Sequence, residues 1–295
     1  MESTAPAAPK KSTSVRLLQS ALRAGFPVLG AVAPPLAARL AGRLFMTPPR
    51  HKTSEREWIV LSRATPCRVS SGGRAIATWS WGEGPAVLLV HGWGSRGARL
   101  HSFVEPLVEM GYRVVAFDAP GHGESAGRTS SLPEFAQSIA AVDAALGPFQ
   151  ALVAHSFGGP STTLALSQGL VVPRLVFIAP PASPAAFTRE FARVLAIPAH
   201  VIRRMTRHFE RRFGIPWDGL DVPSLAPRMR SALLVVHDRD DAEIPWTDGA
   251  AIARAWPGAE LVTTTGLGHK RIVHEPTVVD RAIAFLTAGR RAAFG

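Results

Sequence analysis

The chain has one cysteine, one tyrosine, four lysines beside twenty-nine arginines, and few long stretches without charge. With Cys67 alone, no disulfide can close within the chain, so nothing in its covalent chemistry calls for an oxidising compartment. Such a cysteine is expected to act as a small hydrophobe. The longest uncharged stretch near the start, "AGFPVLGAVAPPLAA" at residues 24–38, carries Pro27, Pro34 and Pro35. It falls short of the ~18 apolar residues expected of a spanning helix, and no later stretch does better. Arg16 and Arg23 stand where the apolar core of a secretory signal would follow Lys10 and Lys11, so a cytoplasmic protein is expected. No His/Cys or carboxylate cluster has metal-ligand spacing and no glycine loop resembles a nucleotide cradle, so neither metal nor cofactor is implied.

A length of 295 residues with 46% hydrophobic and 19% charged side chains suits one large globular domain with additions. The net charge of +11 is unevenly placed. Residues 1–56 hold nine Lys and Arg against two acids, and residues 181–230 hold nine against four, while the remainder is close to neutral. Neither basic segment shows interleaved aromatics or a recognition-helix pattern, so nucleic acid is not an expected partner.

Residues 1–13 have the composition of a disordered segment. "VRLLQSALR" at 15–23 and "PPLAARLAGRLF" at 34–45 then read as helices. Residues 1–56 are therefore a basic, helical N-terminal extension. Two readings are open for it: a helical pair packed on the main domain, or an amphipathic arm that meets an anionic membrane or a partner. From residue 57 the pattern predicts strands, first "EWIVLS" and then "RAIATWSWG". Apolar runs then alternate with helical stretches: "AVLLVHG", "RVVAFDAPG", "ALVAHS", "RLVFIAP", "ALLVVHD" and "AELVTTTG". That alternation predicts a mostly parallel central sheet with helices on both faces, and such sheets hold ligands at the carboxyl ends of their strands. The alternation breaks at residues 181–230, read as two helices at 184–196 and 199–213 forming a lid inserted after the sixth strand. The core is then 57–180 together with 231–295.

Reactive residues collect at the predicted strand ends: "HGWGS" at 91–95, "FDAPGHGES" at 117–125, "AHSFGG" at 154–159, "HDRDDAEIP" at 237–245 and "GLGHKR" at 266–271. A serine, an acid and a histidine thus follow one another in chain order. These motifs resemble those of the α/β-hydrolase family, serine-hydrolase (esterase and lipase-like) branch, in which a G-x-S-x-G elbow presents the nucleophile and the triad runs Ser, Asp or Glu, His. The resemblance covers about residues 75–290. It departs at Ala154, which stands where the family more often has glycine but keeps the small size that a tight strand-to-helix turn requires.

The resemblance implies the α/β-hydrolase fold, with Ser156 as nucleophile on a turn whose strain pushes its hydroxyl into the cleft. His269, in the glycine-flanked loop after the last strand, is the expected base in preference to His274. The family's spacing of an aspartate four residues before a proline selects Asp241, four before Pro245, as the acid. Asp240 remains an alternative, and Asp118 a more remote one. Backbone N–H groups of Trp93 and Phe157 form the implied oxyanion hole. The implied reaction is hydrolysis of a carboxylic ester, or else a thioester or amide, through an acyl-enzyme on a small-molecule acyl substrate. The same triad also suits acyl transfer, perhydrolysis or carbon–carbon cleavage, and the reading of a different class is a non-catalytic binding protein on this fold, its basic N-terminal arm or lid meeting an anionic membrane.

Overall fold

The computed structural model describes residues 13–291, with side chains over 17–288. Apart from Thr13, the segment expected to be disordered lies outside the described residues. In chain order the helices are α1 (Thr13–Val32), α2 (Pro34–Phe45), α3 (Glu55–Leu61), α4 (Val104–Glu109), α5 (Leu132–Leu146), α6 (Gly158–Ser167), α7 (Pro184–Leu195), α8 (Ala199–Phe213), α9 (Val222–Leu225), α10 (Trp246–Ala255), α11 (Gly268–Arg271) and α12 (Pro276–Arg291). The strands are β1 (Thr65–Ser71), β2 (Arg74–Trp81), β3 (Ala86–Val90), β4 (Arg113–Phe117), β5 (Phe149–His155), β6 (Arg174–Ile178), β7 (Ala232–Asp238) and β8 (Glu260–Thr264).

The chain forms two compact units, one of residues 46–184 and 215–295 and the other of residues 1–45 and 185–214. The larger is built on an eight-stranded sheet of order β1-β2-β4-β3-β5-β6-β7-β8. Strand pairs from β4 through β8 are parallel, and β1 and β2 join antiparallel at one side. Every residue of β3 is buried, and β4 to β7 are buried apart from first or second residues, because helices cover both faces. The outer strands β1 and β8 are mostly exposed. This is the α/β-hydrolase fold.

The expected first strand at 57–62 is instead helical. Ser54 and Glu57 form a reciprocal capping box, in which the Glu57 amide donates to the Ser54 hydroxyl and the Ser54 amide donates to the Glu57 carboxylate. Two orphan N–H groups are thereby satisfied, and the helix wins over the β-propensity of Trp58, Ile59 and Val60. The first strand is β1, joined to β2 through Gly72 (φ +54°) and Gly73 (φ +73°). Two consecutive positive φ values are those of a type I′ hairpin turn, which glycine adopts without steric cost.

The smaller unit joins α1 and α2 to α7 and α8, the pair that leaves the chain after β6. Phe26, Ala37, Ala38, Ala41, Val201 and Met205 form its centre. The alanines of α2 let α8 approach closely, and Gly30 of α1 does the same: a Cβ there would stand 3.1 Å from both Pro198 and Val201. His200 Nε2–H donates to the Gly30 carbonyl at 3.0 Å, and the Arg23 guanidinium donates to the carbonyls of Arg193 and Val194. Helix α1 continues through Pro27, while Pro34 opens α2, where a missing N–H costs nothing. Of residues 181–230, only 185–214 belong to this unit, and 215–230 pack with the sheet.

Candidate active site

The loop after β5 brings Ser156 into the left-handed region at φ +51°, a conformation uncommon outside glycine. It is held there by the Ser156 amide donating to the Ile178 carbonyl and the Gly159 amide donating to the Ser156 carbonyl. The turn tolerates only small neighbours. Ala154 is fully buried between Val90 of β3 and Phe177 of β6. A Cβ at Gly158 would stand 2.7 Å from the Val90 carbonyl oxygen, and one at Gly92 would stand 2.9 Å from Ser156 Cβ. Helix α6 begins directly after the turn, so its positive end lies beside Ser156.

His269, on α11 in the loop after β8, places Nε2 at 3.0 Å from Ser156 Oγ and Nδ1 at 2.8 Å from Asp241 Oδ2. Because a carboxylate can only accept, Nδ1 carries the proton and Nε2 offers its lone pair to the serine hydroxyl. Asp241 lies in the loop after β7. Its Oδ1 accepts from the amides of Glu243 and Ile244, and its Oδ2 also has the His237 Nε2 within 3.5 Å. Burial acts to raise this carboxyl, but the His237 ring facing it and hydrogen bonds from His269 and the Ile244 amide outweigh burial and hold it well below the usual carboxylate range. The acid is therefore ionised wherever the protein is folded near neutrality.

The neighbouring acids have other partners. Asp240 is exposed and accepts from the Gly266 amide. Asp238 ties the β7 and β8 ends together through the Thr264 hydroxyl and the Leu267 amide. Asp118 is buried and accepts from the amides of Gly97 and Glu124, shaping the loop after β4. His274 meets Ser102 Oγ at 2.8 Å and stacks on His101, so of the two histidines after β8 it is His269 that reaches Ser156.

Trp93 and Phe157 flank the serine from two loops, with ring centroids 5.2 Å apart in an edge-to-face pair. Phe135 packs on Phe157, and His122 packs on Trp93. Among the described residues, the amides of Trp93 and Phe157 donate to no protein acceptor. Two free N–H groups beside a serine hydroxyl can receive a developing oxyanion. His91 beneath this wall is pushed down to about 4 by burial, and His122 to about 3 by burial and then by His91, so both stay neutral. His91 Nδ1–H donates to the Gly92 carbonyl, and His91 Nε2 accepts from the Ala119 amide, which fixes the loop that carries Trp93.

Two buried histidines that the motifs did not single out for a role touch this array. His155 Nε2–H donates to the His269 carbonyl at 3.0 Å, with the two rings 4.8 Å apart. His237 is fully buried and its Nε2–H donates to the Ile244 carbonyl. Position 155 precedes the elbow serine and 237 precedes the acid loop, but nothing in spacing distinguishes either from an ordinary core histidine. Among the described residues no group of three or more His, Cys, Asp or Glu is arranged to hold a metal ion. No described helix is long and apolar enough to cross a membrane.

A family model described as alpha/beta hydrolase fold matches residues 85–222, and one described as TAP-like protein matches residues 218–294. The chain is 38% identical over 97 residues to a non-heme haloperoxidase of Rhodococcus erythropolis, covering 32% of this chain and 35% of that protein. It is 36% identical over 135 residues to a pimeloyl-[acyl-carrier protein] methyl ester esterase of Vibrio vulnificus (strain CMCP6), covering 45% and 49% respectively. These matches thus span about half the length of the curated relatives or less. An esterase of Pyrococcus furiosus superposes with a TM-score of 0.62 at 18% identity over 82% of this chain and 97% of its own, a likeness of fold.

Proposed function

The chain belongs to the α/β-hydrolase fold family, and within it we propose a serine hydrolase that cleaves a carboxylic ester through an acyl-enzyme. The observation that carries this reading is the unbroken run of hydrogen bonds from Ser156 Oγ through His269 to Asp241. In the proposed reaction Ser156 attacks the substrate carbonyl carbon while His269 Nε2 takes its proton. Asp241 stays ionised, holds the imidazole in the required tautomer and stabilises the imidazolium. The carbonyl oxygen becomes an oxyanion held by the amides of Trp93 and Phe157, each such donor being worth about 3 to 4 kcal/mol of barrier. His269 then passes the proton to the leaving alcohol, and water repeats the sequence on the acyl-enzyme, regenerating Ser156. The ester-acting relative in Vibrio agrees with this bond type.

The likeness to a haloperoxidase favours one further outcome, with hydrogen peroxide replacing water as the second nucleophile and a peracid leaving. A fluorophosphonate probe on the purified protein tests the nucleophile, with labelling expected in the wild type and lost in Ser156→Ala. An unlabelled wild type would sink the serine reading. Product analysis of esters of increasing acyl length, with and without peroxide, then separates ester hydrolysis from perhydrolysis.

A further inference from the structure

Residues 1–45 and 185–214, the two segments of the helical unit, hold thirteen Lys and Arg against three acids. These 75 residues carry +10 of the chain's +11. Over the described side chains the unit has ten arginines, all of them exposed. Arg203, Arg204, Arg207 and Arg211 recur at helical spacing along the outer face of α8, opposite the buried Val201, Met205 and Phe209. A polybasic face of this density repels itself unless anions meet it.

The same unit exposes apolar surface that its own core does not use. Helix α1 turns Phe26 inward, yet Leu17, Leu18, Val28 and Val32 point to solvent with exposures from 62% to 81%. At 100° per residue these four share one side of α1, with only alanine and glycine between them on that side. The stripe continues past the α1–α2 corner to Leu36, also exposed, and the outer side of α2 beyond it carries Arg39 and Arg43. Scattered exposed aliphatics are ordinary, but an uncharged stripe running along a helix into arginines is a different arrangement.

We propose that this helical unit is a peripheral docking surface for an anionic phospholipid bilayer, α1 and Leu36 entering the headgroup boundary while Arg39 beside Leu36 meets lipid phosphate and the net charge of the unit adds long-range attraction. An apolar stripe and an excess of positive charge are what such binding needs. Apolar side chains gain by leaving water, and each arginine near an anionic leaflet adds attraction that salt screens. An acidic soluble protein would satisfy the charge but leaves the apolar stripe unexplained. A second copy would satisfy the stripe but brings its own ten arginines. Arginine also suits the site because its long stem lies along apolar surface while its head reaches phosphate.

The full chain should co-sediment with vesicles of phosphatidylcholine and phosphatidylglycerol about tenfold or more better than with phosphatidylcholine alone, and raising salt should weaken that preference. The Arg39→Glu variant, at the exposed position beside Leu36, should lose about fivefold or more in partitioning. The Val28→Asp/Val32→Asp double variant should lose binding as well, with an unchanged melting temperature, since both positions are exposed. Equal or absent binding to the two vesicle types would overturn the proposal. So would binding that survives Val28→Asp/Val32→Asp, which makes the surface a polyanion site by charge alone. A concentration-dependent dimer in light scattering that the Asp variants dissociate, without lipid binding, assigns the stripe to self-association and also overturns it. None of these readouts depends on hydrolytic activity.

Discussion

His237 Nε2 lies 3.5 Å from Asp241 Oδ2, the same oxygen that His269 Nδ1 approaches at 2.8 Å. One carboxylate oxygen thus faces two imidazoles, one aimed at Ser156 and one sealed in the core. His237 sits in a close-fitting place: its Nδ1 has no partner, and a Cβ at Gly249 would come within van der Waals overlap of that ring. A buried donor with one nitrogen left unpaired costs stability, which is reasonable where it fixes the direction of an acid.

Replacing His237 by Ala should therefore lower kcat by about 2- to 10-fold while leaving KM for a small ester nearly unchanged, because its Nε2–H holds the Ile244 carbonyl of the loop whose Ile244 amide donates to Asp241, and such a neutral bond is worth about 0.5 to 1.5 kcal/mol. The change acts on the transition state, where His269 becomes an imidazolium and depends most on Asp241. Steady-state kinetics with a soluble ester checks it. An unchanged kcat would make His237 a packing residue only.

Ser156→Ala and Ser156→Gly should both abolish turnover, with losses of about 10⁶ in kcat if the residue is the nucleophile. They should differ in stability. At φ +51° the backbone strain remains with alanine and is relieved with glycine, so the glycine variant should melt higher, by up to about 1 kcal/mol of stability. Calorimetry of the two inactive proteins separates strain from chemistry, since neither can turn over.

Gly92→Ala should cost activity without replacing any reacting group. Its Cβ would stand 2.9 Å from Ser156 Cβ and 3.3 Å from the His155 carbonyl, contacts between fixed atoms that only a shift of the elbow relieves. Misplacement of about 1 Å can cost about 10²-fold in rate. Fluorophosphonate labelling slowed by a similar factor, in a protein that still folds, would be the expected result.

Much of this site was legible because the chemistry sits at strand ends and the strands are apolar runs. The structure brings Ser156, His269 and Asp241 together, and it is Asp241 that bonds His269 while Asp240 accepts from the Gly266 amide, a difference in bonding that sequence does not display. The missed element is instructive. "EWIVLS" has strand-like composition, but Ser54 and Glu57, three residues apart, are a helix-start signature that the β-propensity reading passed over. The Gly72–Gly73 pair likewise marked the hairpin that makes "TPCRVSS" a strand despite its polar, exposed face. The grouping of α1 and α2 with α7 and α8 had no local signal at all. Pairing of segments some 150 residues apart is written only in complementary packing, such as the alanines of α2 against Val201 and Met205.

That packing predicts a localised effect. Gly30→Leu would drive a side chain into Pro198 and Val201, where even a Cβ stands at 3.1 Å, and overpacking of this kind costs about 1 to 3 kcal/mol. Hydrogen exchange should accelerate across α1, α2, α7 and α8, which share one core. Acceleration confined to α1 would mean that the four helices do not form a cooperative unit.

Acid sensitivity follows from histidines rather than from carboxylates alone. Burial pushes His91 and His274 down to about 4, and His122 and His155 to about 3. In the unfolded chain these imidazoles protonate near 6.5, so below that pH the unfolded state binds more protons than the native one. Stability is then fully present above about pH 6.5 and is lost as pH falls toward 3 to 4, each group contributing up to about 1.4 kcal/mol per pH unit within its window. Asp241 acts in the same direction at lower pH: its folded-state carboxyl is depressed, so its contribution is present above about pH 4 and disappears as the acid is protonated. Denaturant unfolding measured from pH 7.5 to 5 should show a falling unfolding free energy whose slope reports up to about four protons taken up. Replacing the partly exposed His274 by Gln should remove about one proton from that slope while sparing the Ser156 array, because His274 bonds Ser102 and stacks on His101. A flat profile between pH 6.5 and 5 would mean that these rings are hydrated in the folded protein and titrate as they do in the unfolded chain.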